Sequence, residues 1–178
     1  GCDKSEIHNV YPLKQGLTNL SCHFSTNDGE WVYRHPGVGT ELLIDRAAEK
    51  TALETARTLG LDNTFVFENP RRGWKISKFI PDCKNLDPKN DAQLQKAMTM
   101  ARQLHESDAT VERRFSFYDE GKGYEQSLLA RGPIDVTDWA DMEAQATELH
   151  KLLEAESSEP VLCHNDFFSL NFLVEENG

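Results

Sequence analysis

The chain is poor in cysteine and in basic residues, and it has no long apolar run. Its four cysteines, at positions 2, 22, 83 and 163, lie too far apart for metal-ligand or redox pairs. The opening Gly1-Cys2-Asp3-Lys4-Ser5-Glu6 has no apolar core of the kind a secretion signal carries. The cysteines are therefore read as reduced thiols of a cytoplasmic protein. Lys and Arg number 19 against 30 Asp and Glu, a net charge of −11. Such an acidic domain is a poor general binder of nucleic acid, whose phosphates attract cations. It is compatible with a cationic substrate and leaves room for a local cationic pocket. No stretch is long and apolar enough to predict a membrane span, and no repeat or low-complexity segment stands out.

What is present fits one globular domain's length of 178 residues, enough to fold without disulfide or metal staples. The pattern reads as α+β. Residues 10–14 and 20–25 read as short strands around Gly16, and Asn27-Asp28-Gly29 is a hairpin turn leading into a third strand at Glu30–Arg34. Thr40 offers an N-cap for a helix ending near Leu59, with Gly60 as its stop. Strands are expected at Thr64–Glu68 and Trp74–Ile80, closed by Pro81. A connector over 81–88 precedes a helix capped by Asp91 with an apolar stripe at three-four spacing. Tyr124–Ala130 reads as a short helix, Asp138 caps another, and Val161–Cys163 and Phe172–Val174 read as short strands.

The segment between those last two strands carries the chemistry: His164-Asn165-Asp166-Phe167-Phe168-Ser169-Leu170-Asn171. An Asp followed five residues later by Asn on a tight loop suits phosphoryl transfer. The carboxylate can accept the proton of an attacking hydroxyl, and the amide oxygen can ligate a magnesium ion that holds nucleotide phosphates. A polar surface turn would use the same residue types. Upstream, Leu13-Lys14-Gln15-Gly16-Leu17-Thr18-Asn19 follows a strand and could cover phosphates with backbone amides. One glycine also fits an ordinary hairpin. Arg34 ends the third strand and Glu49 lies mid-helix. They could pair beside the phosphates, or each could simply face solvent.

In this order, the pieces resemble the choline kinase branch of the aminoglycoside-phosphotransferase group, which has a protein-kinase-like two-lobe fold. Val32-Tyr33-Arg34-His35-Pro36-Gly37-Val38-Gly39-Thr40, with Leu43-Ile44-Asp45-Arg46 and Glu49, looks like the third strand and following helix of bacterial choline kinases. Gly73–Ile80 resembles the strand entering the hinge, and Leu104-His105 the end of the first large-lobe helix. The resemblance implies a nucleotide-binding lobe over residues 1–80 and a mainly helical lobe over 81–178, incomplete in this sequence. It implies Asp166 as catalytic base, His164 as the brace of its loop and Asn171 as a magnesium ligand. It further implies Arg34 on the nucleotide phosphates and paired with Glu49. Gly16, Thr18 and Asn19 would lie over the phosphates, and the backbone at Phe79 and Ile80 would hold adenine. The cofactors implied are ATP and Mg2+. The partner implied is a small cationic alcohol, choline foremost, with ethanolamine or an aminoglycoside as alternatives and a non-catalytic nucleotide binder as a third. Aromatic faces hold a trimethylammonium group, and Phe115, Phe117, Tyr118, Tyr124, Phe167 and Phe168 are the candidates.

The pattern departs from the family at one point. The family carries a further metal-binding Asp shortly after the catalytic loop, and Gly178 ends this sequence before it. The expectation is a fragment with little or no kinase activity by itself.

Overall fold

The computed structural model describes residues 2–13, 19–40, 44–156 and 159–175. The expectations for Gly16 and Thr18 lie outside them. Residues 1–112 and 161–178 form one compact unit and residues 113–160 a second.

In the first unit, β1 (His8–Leu13), β2 (Leu20–Thr26), β3 (Gly29–His35), β4 (Phe65–Asn69) and β5 (Trp74–Lys78) form an antiparallel sheet in the order β1-β2-β3-β5-β4. The Asn27-Asp28 turn joins β2 to β3 as predicted. Period-two alternation splits the sheet's faces. Tyr33, Phe67 and Trp74 cluster on one face, with ring centroids 5.3 and 6.0 Å from Trp74. The other face carries His23, Val32, Arg34, Lys75 and Ser77, which follow from the pairs His23↔Val32, Val32↔Ser77 and Arg34↔Lys75. A register shift between Phe65 and Phe67 puts both Phe65 and Glu68 on this second face, opposite Ser77 and Lys75.

The helix α1 (Arg46–Thr58) packs on the second face, where Arg57 lies over the buried Phe65 ring at 5.6 Å. It starts later than the sequence suggests. Asp45, not Thr40, is the cap, and its carboxylate accepts from the amides of Ala47 and Ala48, both at 3.0 Å. The Thr40 hydroxyl is engaged elsewhere, donating to Gly37 O at 2.8 Å and accepting from Arg46 at 2.9 Å. Gly60 does end the helix, with φ of +72° just past the C-cap residue Leu59. Gly73 closes the β4–β5 turn at φ +70°, where a Cβ would sit 3.0 Å from Arg46 Nε and 3.1 Å from Pro36 Cγ. Only glycine fits there without displacing both neighbours.

Beyond β5, the connector contains a two-residue strand, β6 (Lys84–Asn85). The helix α2 (Asp91–His105) follows, capped by Asn90 rather than Asp91, because the Asn90 side chain accepts from Ala92 and Gln93. Ala97 is its buried residue, and Gln103 ties it to α1 by donating to Leu59 O at 2.8 Å. Near the C-terminus, Val161–Cys163 forms no strand. A 3-10 turn at Ser169–Asn171 leads into β7 (Leu173–Val174), which pairs antiparallel with β6.

The second unit is a helix pair. The helix α3 (Phe117–Leu129), capped by Ser116, is longer than the predicted Tyr124–Ala130. The helix α4 (Trp139–Ala155) begins after Asp138, as expected, although that side chain makes no capping bond. Tyr118 stacks on His150 at 4.2 Å and its hydroxyl shares a hydrogen bond with Thr147 at 2.9 Å. Lys122 lies between the carboxylates of Glu125 and Glu143. Trp139 Nε1 donates to buried Glu125 at 2.9 Å. Among the described residues, no helix is long and apolar enough to cross a membrane.

Candidate active site

Within the loop at 164–171, the side chains of Asp166 and Asn171 are joined directly. Asn171 Nδ2 donates to Asp166 Oδ2 at 2.7 Å and to the Asp166 carbonyl at 2.9 Å. Both amide hydrogens are used in this way, which leaves the amide oxygen Oδ1 as an available acceptor beside the carboxylate. Asn165 makes the turn at φ +59°, a left-handed conformation that Asn tolerates better than most residues. His164 Nδ1 accepts from the Asp166 amide at 3.3 Å, and its ring stacks on Phe172 with centroids 6.3 Å apart. The Phe167 ring meets Phe172 edge-on at 4.9 Å. Asp166 and Asn171 are exposed to solvent, so they can meet a ligand without desolvating a buried charge.

Sequence reasoning missed Asn85. Its side-chain amide donates to the carbonyls of Leu170, at 2.9 Å, and Phe172, at 3.4 Å. It thus pins the end of the loop to the connector, and only the β6–β7 pairing brings these segments together.

On the sheet, Arg34 is an exposed residue near the end of β3. Glu49 is held by two cations that the sequence did not single out for it: Lys75 Nζ lies 2.6 Å from Glu49 Oε1, and Arg46 Nη1 lies 2.7 Å from Glu49 Oε2. Lys75 faces Arg34 across β3 and β5. Burial opposes the charge of Glu49, but hydrogen bonds and attraction from Lys75, with help from Arg46, hold its carboxyl below the ordinary glutamate range. Glu68, in register with Lys75 on β4, shows the opposite shift. Burial, and then the negative charge of Glu49, push its carboxyl up to about 7. Lys75 and Glu68 carried no sequence signal of their own, because cross-strand register is what places Lys75 beside Arg34 and Glu68 beside Lys75.

Phe79 continues from β5, its amide donating to Glu30 O at 3.0 Å and its ring meeting buried His23 edge-on at 4.7 Å. Ile80 follows and is half-buried, as is Asn19 just before β2. Of the candidate acceptor aromatics, Phe117 and Tyr118 line a cavity of about 210 Å³ in the second unit with Trp139 and Glu143. Phe115 packs edge-on to Phe117, at 4.9 Å, and Tyr124 is half exposed. Phe167 and Phe168 stay on the Asp166 loop, 43% and 55% exposed. Among the described residues, no group of three or more His, Cys, Asp or Glu could hold a metal.

Residues 9–178 match the profile of the phosphotransferase enzyme family. No curated protein sequence matches the chain. Among solved structures, LicA in complex with AMP superposes with a TM-score of 0.81 at 26% identity, over 97% of this chain and 59% of that one. Choline kinase LicA from Streptococcus pneumoniae gives 0.79 at 27% identity, over 97% and 61%. An ethanolamine kinase from Plasmodium vivax gives 0.70 at 18% identity, over 92% and 51%, a likeness of fold alone. The chain thus spans about three-fifths of the length of the LicA structures it matches.

Proposed function

The chain belongs to the phosphotransferase enzyme family and has the α+β, protein-kinase-like fold of the choline kinase LicA structures; from that premise we propose that its whole protein transfers the terminal phosphoryl group of ATP to the hydroxyl of choline. The observation that carries this reading is the Asn171–Asp166 bond at 2.7 Å. It fixes a carboxylate and an amide oxygen side by side on a short exposed loop.

In this reading, Asp166 orients the acceptor hydroxyl and takes its proton as the bond to phosphorus forms. His164 holds the loop through the Asp166 amide. Arg34 neutralises charge on the nucleotide phosphates, Gly16, Thr18 and Asn19 lie over them, and the backbone at Phe79 and Ile80 holds adenine. AMP bound to LicA supports a nucleotide site in this fold. Asn171 Oδ1 is a hard oxygen donor of the kind that suits magnesium, which keeps several waters and takes its other ligands from phosphate. When bound, the ion would supply charge neutralisation of the ATP phosphates. Phe167 and Phe168, directly after the base, would face the trimethylammonium group. The four free cysteines fit a cytoplasmic setting.

The test is ADP release by the complete translated protein with choline, ethanolamine and kanamycin as acceptors. Choline is expected to give the highest kcat/KM. Asp166→Asn should lower kcat by about 10²–10⁴-fold, the usual range for loss of a general base, while ATP affinity is retained. Undiminished turnover in that variant would remove the base assignment, and a different preferred acceptor would remove choline.

A further inference from the structure

The buried residue of β2 is His23, 1% exposed. Burying an imidazole costs more than burying an aliphatic side chain unless its nitrogens find partners. Two neighbouring strands face them. Nδ1 lies 3.0 Å from the carbonyl oxygen of Asn9 on β1, which can only accept, so this nitrogen carries hydrogen and donates. Asn9 stands at φ +50°, where the β1–β2 register shifts between His8 and Tyr11. Among the described residues Nε2 makes no aligned hydrogen bond, but the Glu30 carboxylate on β3 lies 3.3 Å from it. The Tyr11 ring covers one face of the imidazole at 4.4 Å, 18° from parallel. Held from both adjoining strands and from one face, the ring has a fixed plane. What it meets is Phe79, with centroids 4.7 Å apart and planes 81° from parallel. Phe79 is the first residue past β5, and its amide donates to Glu30 O at 3.0 Å. His23 by its ring and Glu30 by its carbonyl thus hold Phe79 where the sheet gives way to the connector. With that amide hydrogen committed, and none on Pro81, the Phe79 carbonyl and the Ile80 backbone are what remain for a base.

We propose that His23 is a positioning residue of the adenine site: its fixed ring holds the Phe79 side chain and so sets the direction of the Phe79–Ile80 backbone that meets the base. The proposal rests on the adenine reading given above. An aliphatic side chain would fill the same space and keep the sheet packed. It would present no fixed ring to Phe79, because nothing would set its orientation. An imidazole with directed contacts to β1 and β3 supplies that orientation, and edge-on aromatic pairs depend on it. His23 touches no nucleotide in this account; it acts through Phe79.

The experiment measures displacement of trinitrophenyl-ATP from the complete protein by ATP and by GTP, with magnesium present and melting temperatures recorded alongside. The two nucleotides share ribose and phosphates, so the ratio of their affinities reports the base alone. His23→Leu is expected to lower the preference for ATP about fivefold to tenfold, the worth of one aromatic edge contact. His23→Phe keeps a ring against Phe79 and Tyr11 and is expected to stay within about threefold of the unaltered ratio. Phe79→Leu should lower the ratio likewise, and adding His23→Leu to it should lower the ratio no further, because the two residues act as one unit. A histidine that only packs the sheet would lower the melting temperature in His23→Leu and leave the ratio where it was, or would weaken both nucleotides alike. Either result overturns the proposal, as does an additive double variant. If His23→Leu does not fold, His23→Gln, which keeps a donor and loses the ring, takes its place: a lowered ratio supports the proposal and an unchanged one overturns it. An unaltered protein that prefers ATP, with a ratio insensitive to the loss of the His23 ring, removes this inference and leaves the adenine reading intact. An unaltered protein with no preference for ATP over GTP removes that reading, and the inference with it.

Discussion

Replacing Glu68 with Gln should stabilise the protein above neutral pH and do little in acid. Glu68 is 1% exposed, and its carboxyl is raised from 4.5 to about 7, first by burial and then by the charge of Glu49. An acid whose folded value is raised favours the folded state fully below its unfolded value. That contribution drains away as pH climbs from about 4.5 to about 7, because the unfolded chain ionises first. At roughly 1.4 kcal/mol per pH unit, the interval amounts to about 3 kcal/mol. Glutamine keeps a neutral, similarly shaped side chain at every pH and so avoids the loss. Glu49 contributes with the opposite sign: its lowered value adds stability that disappears as pH falls, but it does so in both proteins and largely cancels in the difference. Urea unfolding of the two proteins at pH 4.5 and pH 8, followed by tryptophan fluorescence, reads this difference directly. The advantage of Glu68→Gln should grow by about 2–3 kcal/mol between the two conditions. A difference that does not change with pH, or one that turns against glutamine at pH 8, would refute a buried neutral carboxyl at this position.

Other outcomes follow from single contacts. Asn85→Ala removes the two bonds that hold the end of the Asp166 loop. It should cost about 1 kcal/mol and speed amide exchange at Leu173 and Val174. Asp45→Ala should destabilise α1 by about 1 kcal/mol through loss of its cap, read as a lower melting temperature with nucleotide affinity retained. Gly73→Ala forces a Cβ to within 3.0 Å of Arg46 at φ +70°. It should cost about 1–2 kcal/mol in thermal or urea unfolding, more than an alanine at open Gly60. Asn171→Ala should raise the magnesium concentration needed for half-maximal turnover in the complete protein, while leaving choline affinity unchanged.

The sequence by itself determined the parts whose causes are local. Turn residues set the β2–β3 hairpin, Gly60 stopped α1, and the apolar stripe of α2 follows from side-chain period. The Asp166–Asn171 motif was legible for the same reason: five residues of separation on a tight turn put the two side chains within reach of each other. Local signals also misled where two residues competed for one task. Thr40 and Asp45 can both cap a helix, and Thr40 lost because Gly37 and Arg46 claim its hydroxyl. Tertiary structure decided the rest. Glu49 pairs with Lys75, although 26 residues separate them, because sheet order places β5 beside β3 and under α1. Glu68 acquired its raised carboxyl from a register shift and from burial that composition does not encode. Asn85 became part of the loop's support through a two-residue strand pair spanning half the chain. Charge pairing inside a fold depends on distance and desolvation, and both are set by packing between segments that are remote in sequence.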